Sequence, residues 1–335
     1  MILSSAIFFH SCDEVTPDMV TPNSTGLSGD VVVVCANDVW ESNFGKAISE
    51  KLEQIQYGLN QPEAIFSVYQ YPENGFSRSL KTHRNIIIAD VSDKYPAEGA
   101  EIIFLENSWA KNQVVFKIKA NNADEAARVF YKEADNIIYQ LQQNELKRIL
   151  HQIKKESNPR GEQQIADKHH VTFTFPDYGV VTENRDNFAW VRMKRKRGGD
   201  DNEEHTIEQG IFVWHYPFTE NRTFSRDYQI IIRDSILQAN VPGPSGGSYM
   251  TTQMLPGYQP KVKEINFNGE YALEMLGMWR VEGDFMSGPF KSITFLDKKR
   301  NRVVTIEGWV YAPKFDKREY LREMEAMIKS VQLLD

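Results

Sequence analysis

The sequence predicts an α+β fold: mostly antiparallel sheets covered by amphipathic helices, in two similar-sized α/β-sandwich-like halves. Three observations carry this. Short runs rich in Val, Ile and aromatic residues recur along the chain, and such runs are the signature of strands. Four longer stretches repeat apolar residues at steps of three and four, which places them on one helical face. Near the middle, SNPRGEQQ (Ser157–Gln164) breaks a helical stretch with Pro159 and Gly161. The expected division is residues 1–28 as a remnant signal and flexible tether, 29–157 as an N-terminal domain and 158–335 as a C-terminal α+β domain.

The leader comes first. Ile2–Phe9 is a short apolar run followed by His10, Ser11 and Cys12. A signal peptide joins a basic n-region, an apolar h-region and a small residue before the cut. The h-region and Ser11 are present; the basic n-region is not, and a start further upstream would supply it. Cys12 stands where a bacterial lipoprotein carries its acyl chains, although Phe9 and His10 depart from the usual Leu and small residue of a lipobox. Cys12 is therefore the expected lipidation site. The stretch DEVTPDMVTPNSTGLSG that follows has no period and too little apolar surface to order itself. From Cys12 to Ser28 is sixteen residues, a root-mean-square reach of about 22 Å for a flexible coil. That places the domain close to a membrane, at the cell envelope, on the outer-membrane or periplasmic face.

GDVVVVCAND (Gly29–Asp38) is a continuous β-branched run, expected to be a strand buried on both faces. Phe44, Ile48, Leu52 and Ile55 mark a helix. Ala64–Tyr71, Asn85–Val91 and Val114–Ala120 are expected strands, and a long helix follows with Val129, Phe130, Ile137, Ile138 and Leu141 as its stripe. The first half thus has the order β-α-β-β-β-α. In the second half, strands are expected near His169–Phe175, Phe188–Lys194 and Gly210–Tyr216. A helix is expected over Ser225–Ala239 with Tyr228, Ile231, Ile232 and Ser235 inward. Strands at Val262–Phe267, Tyr271–Val281, Phe290–Leu296 and Arg302–Tyr311 come next. The last helix starts at Asp316, whose spacing to Glu319 predicts a capping pair. Leu321, Met324 and Ile328 should cover the sheet, and Glu323 should face solvent.

Composition excludes some functions. The chain of 335 residues carries a net charge of −7, unlike a protein that neutralises many phosphates, so nucleic acid is not an expected partner. No apolar run is long enough to span a bilayer. Two cysteines, Cys12 and Cys35, build neither a disulfide framework nor a four-thiolate zinc site. Cys35 lies in the first strand and acts there as a small hydrophobe.

GPSGG (Gly243–Gly247) matches the letters of a nucleophile elbow, which needs a strand before the serine and a helix after it. Here a helix precedes and a strand pattern follows, and no His lies beyond His215. The expected role is a tight connection. A lesser expectation is a ligand-contacting loop at Gly243, Ser245, Gly246 and Gly247, because glycines let backbone N–H groups approach an anion. Neighbours on a strand point to opposite faces, so His169 and His170 are not expected to share a metal, and no H-x-x-x-H spacing occurs. No metal, cofactor or catalytic residue is expected. In RMKRKRGGDDNEEH (Arg192–His205) basic and acidic arms should pair across a hairpin. Six tryptophans sit mainly at strand or helix positions and should fill the core. Glu274 and Arg280 share a face of one strand and are expected to be structural.

The strings VPGPSGGSYMTTQ and MWRVEGDFMSGPFKSITFLDKKRNRVVTIEGWVYAPKFDKREYLREMEAMIKS resemble a family of predicted Bacteroidetes lipoproteins known as domain of unknown function 4837. The similarity extends from the Gly29 strand to the C-terminus. It implies a lipid-anchored envelope protein and brings no catalytic residue with it. The expected function is a non-enzymatic binding or assembly module, tethered to a membrane, with an envelope protein, glycan or lipid as partner. The alternative is an envelope hydrolase whose site no motif reveals.

Overall fold

The computed structural model describes residues 21–335. Cys12 and the apolar run before it lie outside the described residues. The chain is an α+β mix, and its larger sheet is antiparallel throughout.

In the first half, β1 (Asp30–Val34), β2 (Ser67–Tyr71), β3 (Asn85–Val91), β4 (Glu101–Glu106) and β5 (Val114–Ala120) form one sheet in the order β2-β1-β3-β5-β4. Three of its pairings are parallel; only β4 runs antiparallel to β5. This explains the unbroken Val and Ile runs, since both faces of a parallel sheet are covered. α2 (Asn43–Leu52) and α4 (Ala123–Lys155) cover one face, with Phe44, Ile48, Phe130 and Ile137 packed on Val31, Val33 and Ile87. Two one-turn helices, α1 (Asn37–Trp40) and α3 (Arg78–Lys81), fill the connections. Residues 22–28, expected in the tether, already belong to the fold. Pro22 O accepts from Lys111 N, and Thr25 N donates to Thr82 O.

α4 has 33 residues, about 50 Å at 1.5 Å per residue. Its first part packs on the first sheet, and its second part packs on the final helix. The expected break at Ser157–Gln164 is a restart: α5 (Pro159–His169) begins there, with Asn158 Oδ1 accepting from Gly161 N at 2.9 Å. Pro159 is tolerated because the first helical N–H has no intrahelical partner. His169 therefore ends a helix and is not on a strand, and His170 follows in the left-handed region.

The second sheet runs β10-β12-β13-β14-β9-β8-β7, with β11 also paired to β12. Its strands are β7 (Val180–Asn184), β8 (Phe188–Gly198), β9 (Glu204–Pro217), β10 (Tyr249–Thr252), β11 (Lys261–Phe267), β12 (Glu270–Glu282), β13 (Ser287–Asp297) and β14 (Arg302–Tyr311). A small pair, β6 (Val171–Thr172) and β15 (Gln332–Leu333), closes the end of the chain. Alternation sorts the side chains. Ile211, Val213, Val304 and Ile306 face α7 (Arg318–Ile328), whose Leu321, Met324 and Ile328 pack on them as expected. Gly308 makes the approach possible, since a Cβ there would sit 2.6 Å from Met324 Cβ. Phe212, Trp214, Phe290 and Trp309 face α6 (Arg226–Asn240).

Three expectations about helices are corrected. α6 buries Gln229, Ile230, Arg233 and Leu237, not the Tyr228–Ser235 face, and Ile231 is 67% exposed. The cause is a buried ion pair: Arg233 Nε and Nη2 donate to the Glu307 carboxylate at 2.7 and 2.8 Å. α7 is not capped by Asp316, which accepts from Gln61 Nε2. Its cap comes from the other half of the chain, because Glu63 Oε1 and Oε2 accept from Lys317 N and Arg318 N, each at 2.8 Å. Glu323 is only partly open to solvent and binds Arg195 and Gln209.

Candidate functional site

Binding chemistry concentrates on the α6 side of the second sheet. Trp190 of β8, Trp279 of β12 and Trp309 of β14 alternate onto that face. Trp309 lies over Gly210 of β9, where a Cβ would sit 2.5 Å from the indole Nε1. Its ring centroid is 5.9 Å from Phe212 in a stacked arrangement and 5.7 Å from Trp279 edge-on. With Val241, Met250, Val281 and Met286, the rings of Trp190, Trp279 and Trp309 line a cavity of about 350 Å³. Gly243 and Pro244 add one part of the wall, and Arg192 and Glu208 another. Arg192 Nε donates to Glu208 Oε1 at 2.7 Å, and the guanidinium lies 4.7 Å over the Trp190 ring.

Trp279 Nε1 donates to Val310 O at 3.2 Å. The buried indole N–H groups of Trp190, Trp214 and Trp309 have no acceptor among the described residues; Trp190 and Trp309 line the cavity, and Trp214 does not. A buried donor without a partner costs about 1–3 kcal/mol. The cavity thus combines apolar room, one ion pair and two tryptophans whose unpaired N–H groups are buried in its wall. It is suited to a group with an apolar body and a hydrogen-bond acceptor.

The GPSGG segment divides over this site. Gly243 and Pro244 line the cavity, while Ser245, Gly246 and Gly247 are exposed. Ser245 Oγ donates to Asp284 Oδ2 at 2.7 Å, and Ser248 Oγ donates to Ser245 O. The segment links α6 to β10, so the strand-turn-helix frame of an elbow is absent here.

Other reactive side chains are held away from catalytic readiness. Burial pushes the Cys35 thiol up to about 11. Burial, with Arg302 and His169 nearby, pushes His215 down to about 4, and burial also lowers His169, so both rings stay neutral near pH 7. A cavity of about 390 Å³ between the halves contains Lys291 and Glu325, 2.8 Å apart. Burial opposes both charges, but each stabilises the other. Lys291 is held above its ordinary value, and Lys291 and Lys329 hold Glu325 at about 2. Neither changes its protonation state near neutral pH. Glu274 belongs to this group, 3.1 Å from Lys291, while Arg280 pairs with Glu282, so the two share a strand face but not a partner.

The β8–β9 hairpin pairs as its charges predict, with Lys194 on Glu208 and Lys196 on Glu204. At its tip the ligand atoms of Asp201, Glu203 and His205 lie within 4.8 Å of one another. The only signal of this trio in the sequence is a spacing of two along a turn. His205 Nε2 is already 2.8 Å from both Asp201 oxygens.

Fold and site together define a class: an α+β protein with a helix-covered antiparallel sheet, an aromatic cavity and no assembled catalytic centre among the described residues. The chain belongs to the family described as domain of unknown function DUF4837, which it matches over residues 158–330. Residues 24–154 match a second domain of unknown function, DUF8532. No curated protein matches the chain. Among solved structures, the Saccharomyces cerevisiae Ran-binding protein Mog1p is similar at 11% identity and a TM-score of 0.31, covering 50% of this chain and 91% of that one. A mutant of Mog1 is similar at 12% identity and a TM-score of 0.30, covering 50% and 92%. Likeness at that level carries no argument about function.

Proposed function

We propose that this is a lipid-anchored cell-envelope protein that binds rather than catalyses, and that the tryptophan cavity is its binding site. One observation carries the reading: Trp190 and Trp309 keep two buried, unpaired donors at a cavity whose volume suits a small ligand or one anchoring group of a larger partner. The partner is an envelope protein, glycan or lipid that offers an apolar group and an acceptor. The hydrolase alternative has less support, because the hydroxyl of Ser245 is directed at a carboxylate and no imidazole is bonded to it.

The site is tested by filling it. Lipid, glycan and protein fractions of the envelope are titrated against the intrinsic tryptophan emission of wild type and Val281→Phe. One fraction should shift the wild-type emission and leave the filled variant unchanged; equal responses would remove the cavity from the account. The anchor is tested separately. Cys12→Ala should leave the membrane fraction, and intact mass should show acyl additions on wild type only. A wild type that is soluble and unmodified in its own host contradicts the anchor.

A further inference from the structure

A second cavity, of about 290 Å³, lies where the described chain begins. It is lined by Asn23 and Ser24 of the leading segment, by Arg84 and Asn112, and by Arg148, His151 and Lys155 of α4, along with Ile149 and Gln152. No carboxylate lines it. The nearest buried acid is Glu145, beneath the cavity, and its oxygens are taken by Arg84, Arg148 and Asn85 at 2.7–2.9 Å. Arg84 Nε is buried and has no acceptor. His151 and Lys155 are exposed, as are Lys111, whose backbone holds the leading segment, and Lys147 and Lys154 of α4. A chain of net charge −7 therefore carries a local basic face with an unfilled donor.

We propose that this face docks on the anionic phospholipid headgroups of the anchoring membrane, with a lipid phosphate seated among Arg84, His151 and Lys155. The proposal rests on the anchored reading above and adds an orientation to it. Two observations select the membrane as the occupant. The charges are complementary to anionic headgroups. Nine peptide steps separate Cys12 from Thr21, a contour of about 30 Å at most, so a lipid on Cys12 keeps this face close to the bilayer. Once docked, the tryptophan cavity of the second half is presented at a fixed orientation to that surface.

The test uses the full chain carrying Cys12→Ala, so that it does not depend on acylation. Binding is measured by sedimentation with phosphatidylcholine vesicles, with and without phosphatidylglycerol, at low and high salt. Binding is expected only with phosphatidylglycerol and should weaken as salt rises. Each lysine at an anionic surface contributes about five-fold, so Lys111→Ala with Lys155→Ala should lose about 25-fold. Lys299→Ala, in the β13–β14 turn of the other half, should bind like the parent. Equal binding to both vesicle types, or no loss in the double variant, overturns the proposal. So does a site that takes inorganic phosphate but no vesicle. If the chain's own Asp13, Glu14 or Asp18 fill the cavity, the phosphatidylglycerol dependence disappears, and that result overturns the proposal too. A failure here leaves the Cys12 fractionation result standing, and the converse also holds.

Discussion

Removing Glu63 should unseat a helix that lies more than 250 residues further along the chain. Both oxygens of this carboxylate accept 2.8 Å bonds from the N–H groups that open α7, and the residue is only 8% exposed. Replacing a helix cap by Ala costs about 0.5–2 kcal/mol. Each buried donor left unpaired adds about 1–3 kcal/mol. The terms overlap, so Glu63→Ala should cost about 2–4 kcal/mol. Burial raises the Glu63 carboxyl above its usual range, and the bonds from Lys317 and Arg318 pull it back. A neutral amide avoids the burial term and keeps one acceptor, so Glu63→Gln should cost about half as much. Asp316→Ala removes only an exposed contact with Gln61 and should stay within about 0.5 kcal/mol. The assay is urea denaturation of the full chain at neutral pH, comparing midpoints at constant slope. If Asp316→Ala costs as much as Glu63→Ala, the helix is capped locally and the interlock between halves is wrong.

Further outcomes follow from the same structure. Leu321 and Ile328 are 2% and 0% exposed, and truncation of such residues costs about 2–5 kcal/mol each, so Leu321→Ala with Ile328→Ala should bring the chain close to unfolding by the same urea assay. Ser245→Ala should leave stability nearly unchanged; fluorophosphonate labelling of wild type that vanishes in this variant would revive the hydrolase. His215 titrates at about 4 when folded and near 6.5 when unfolded, so its contribution is complete above about pH 6.5 and is lost as pH falls toward 4. That loss is about 3 kcal/mol, and His215→Gln should flatten the stability curve between those pH values; an unchanged acid slope contradicts the assignment.

Some of this is legible in the sequence, and the rest is hidden for identifiable reasons. The α7 stripe is visible because Leu321, Met324 and Ile328 repeat at helical spacing and the sheet beneath is apolar. The hairpin is visible because a basic arm and an acidic arm flank Gly198 and Gly199. The buried face of α6 is hidden because a buried arginine looks like a surface residue until Glu307, 74 positions away, is placed beside it. Capping patterns are local and point to Asp316, whereas the true cap of α7, Glu63, arrives through tertiary folding. β4 carries a clear apolar run, Ile102–Leu105, and is missing from the expected β-α-β-β-β-α order; what the sequence hides is that it is an edge strand, exposed along most of its length. The tryptophan cavity looks like core filling in the sequence, because period-2 alternation says which face a ring takes and nothing of what its N–H meets. Gly243 is the only residue of the expected ligand loop that reaches the cavity, at the edge of a segment that stands out for its glycines.

The central claim is that Trp190 and Trp309 await an acceptor. Indole N–H resonances of the nitrogen-15-labelled protein report on each ring separately. On titration with the envelope fraction that shifts tryptophan emission, the Trp190 and Trp309 signals should move downfield as their protons gain a partner. Trp279, already bonded to Val310 O, should move far less. If no fraction moves Trp190 or Trp309, or if Trp40 and Trp109 of the first half respond instead, the cavity is not the binding site.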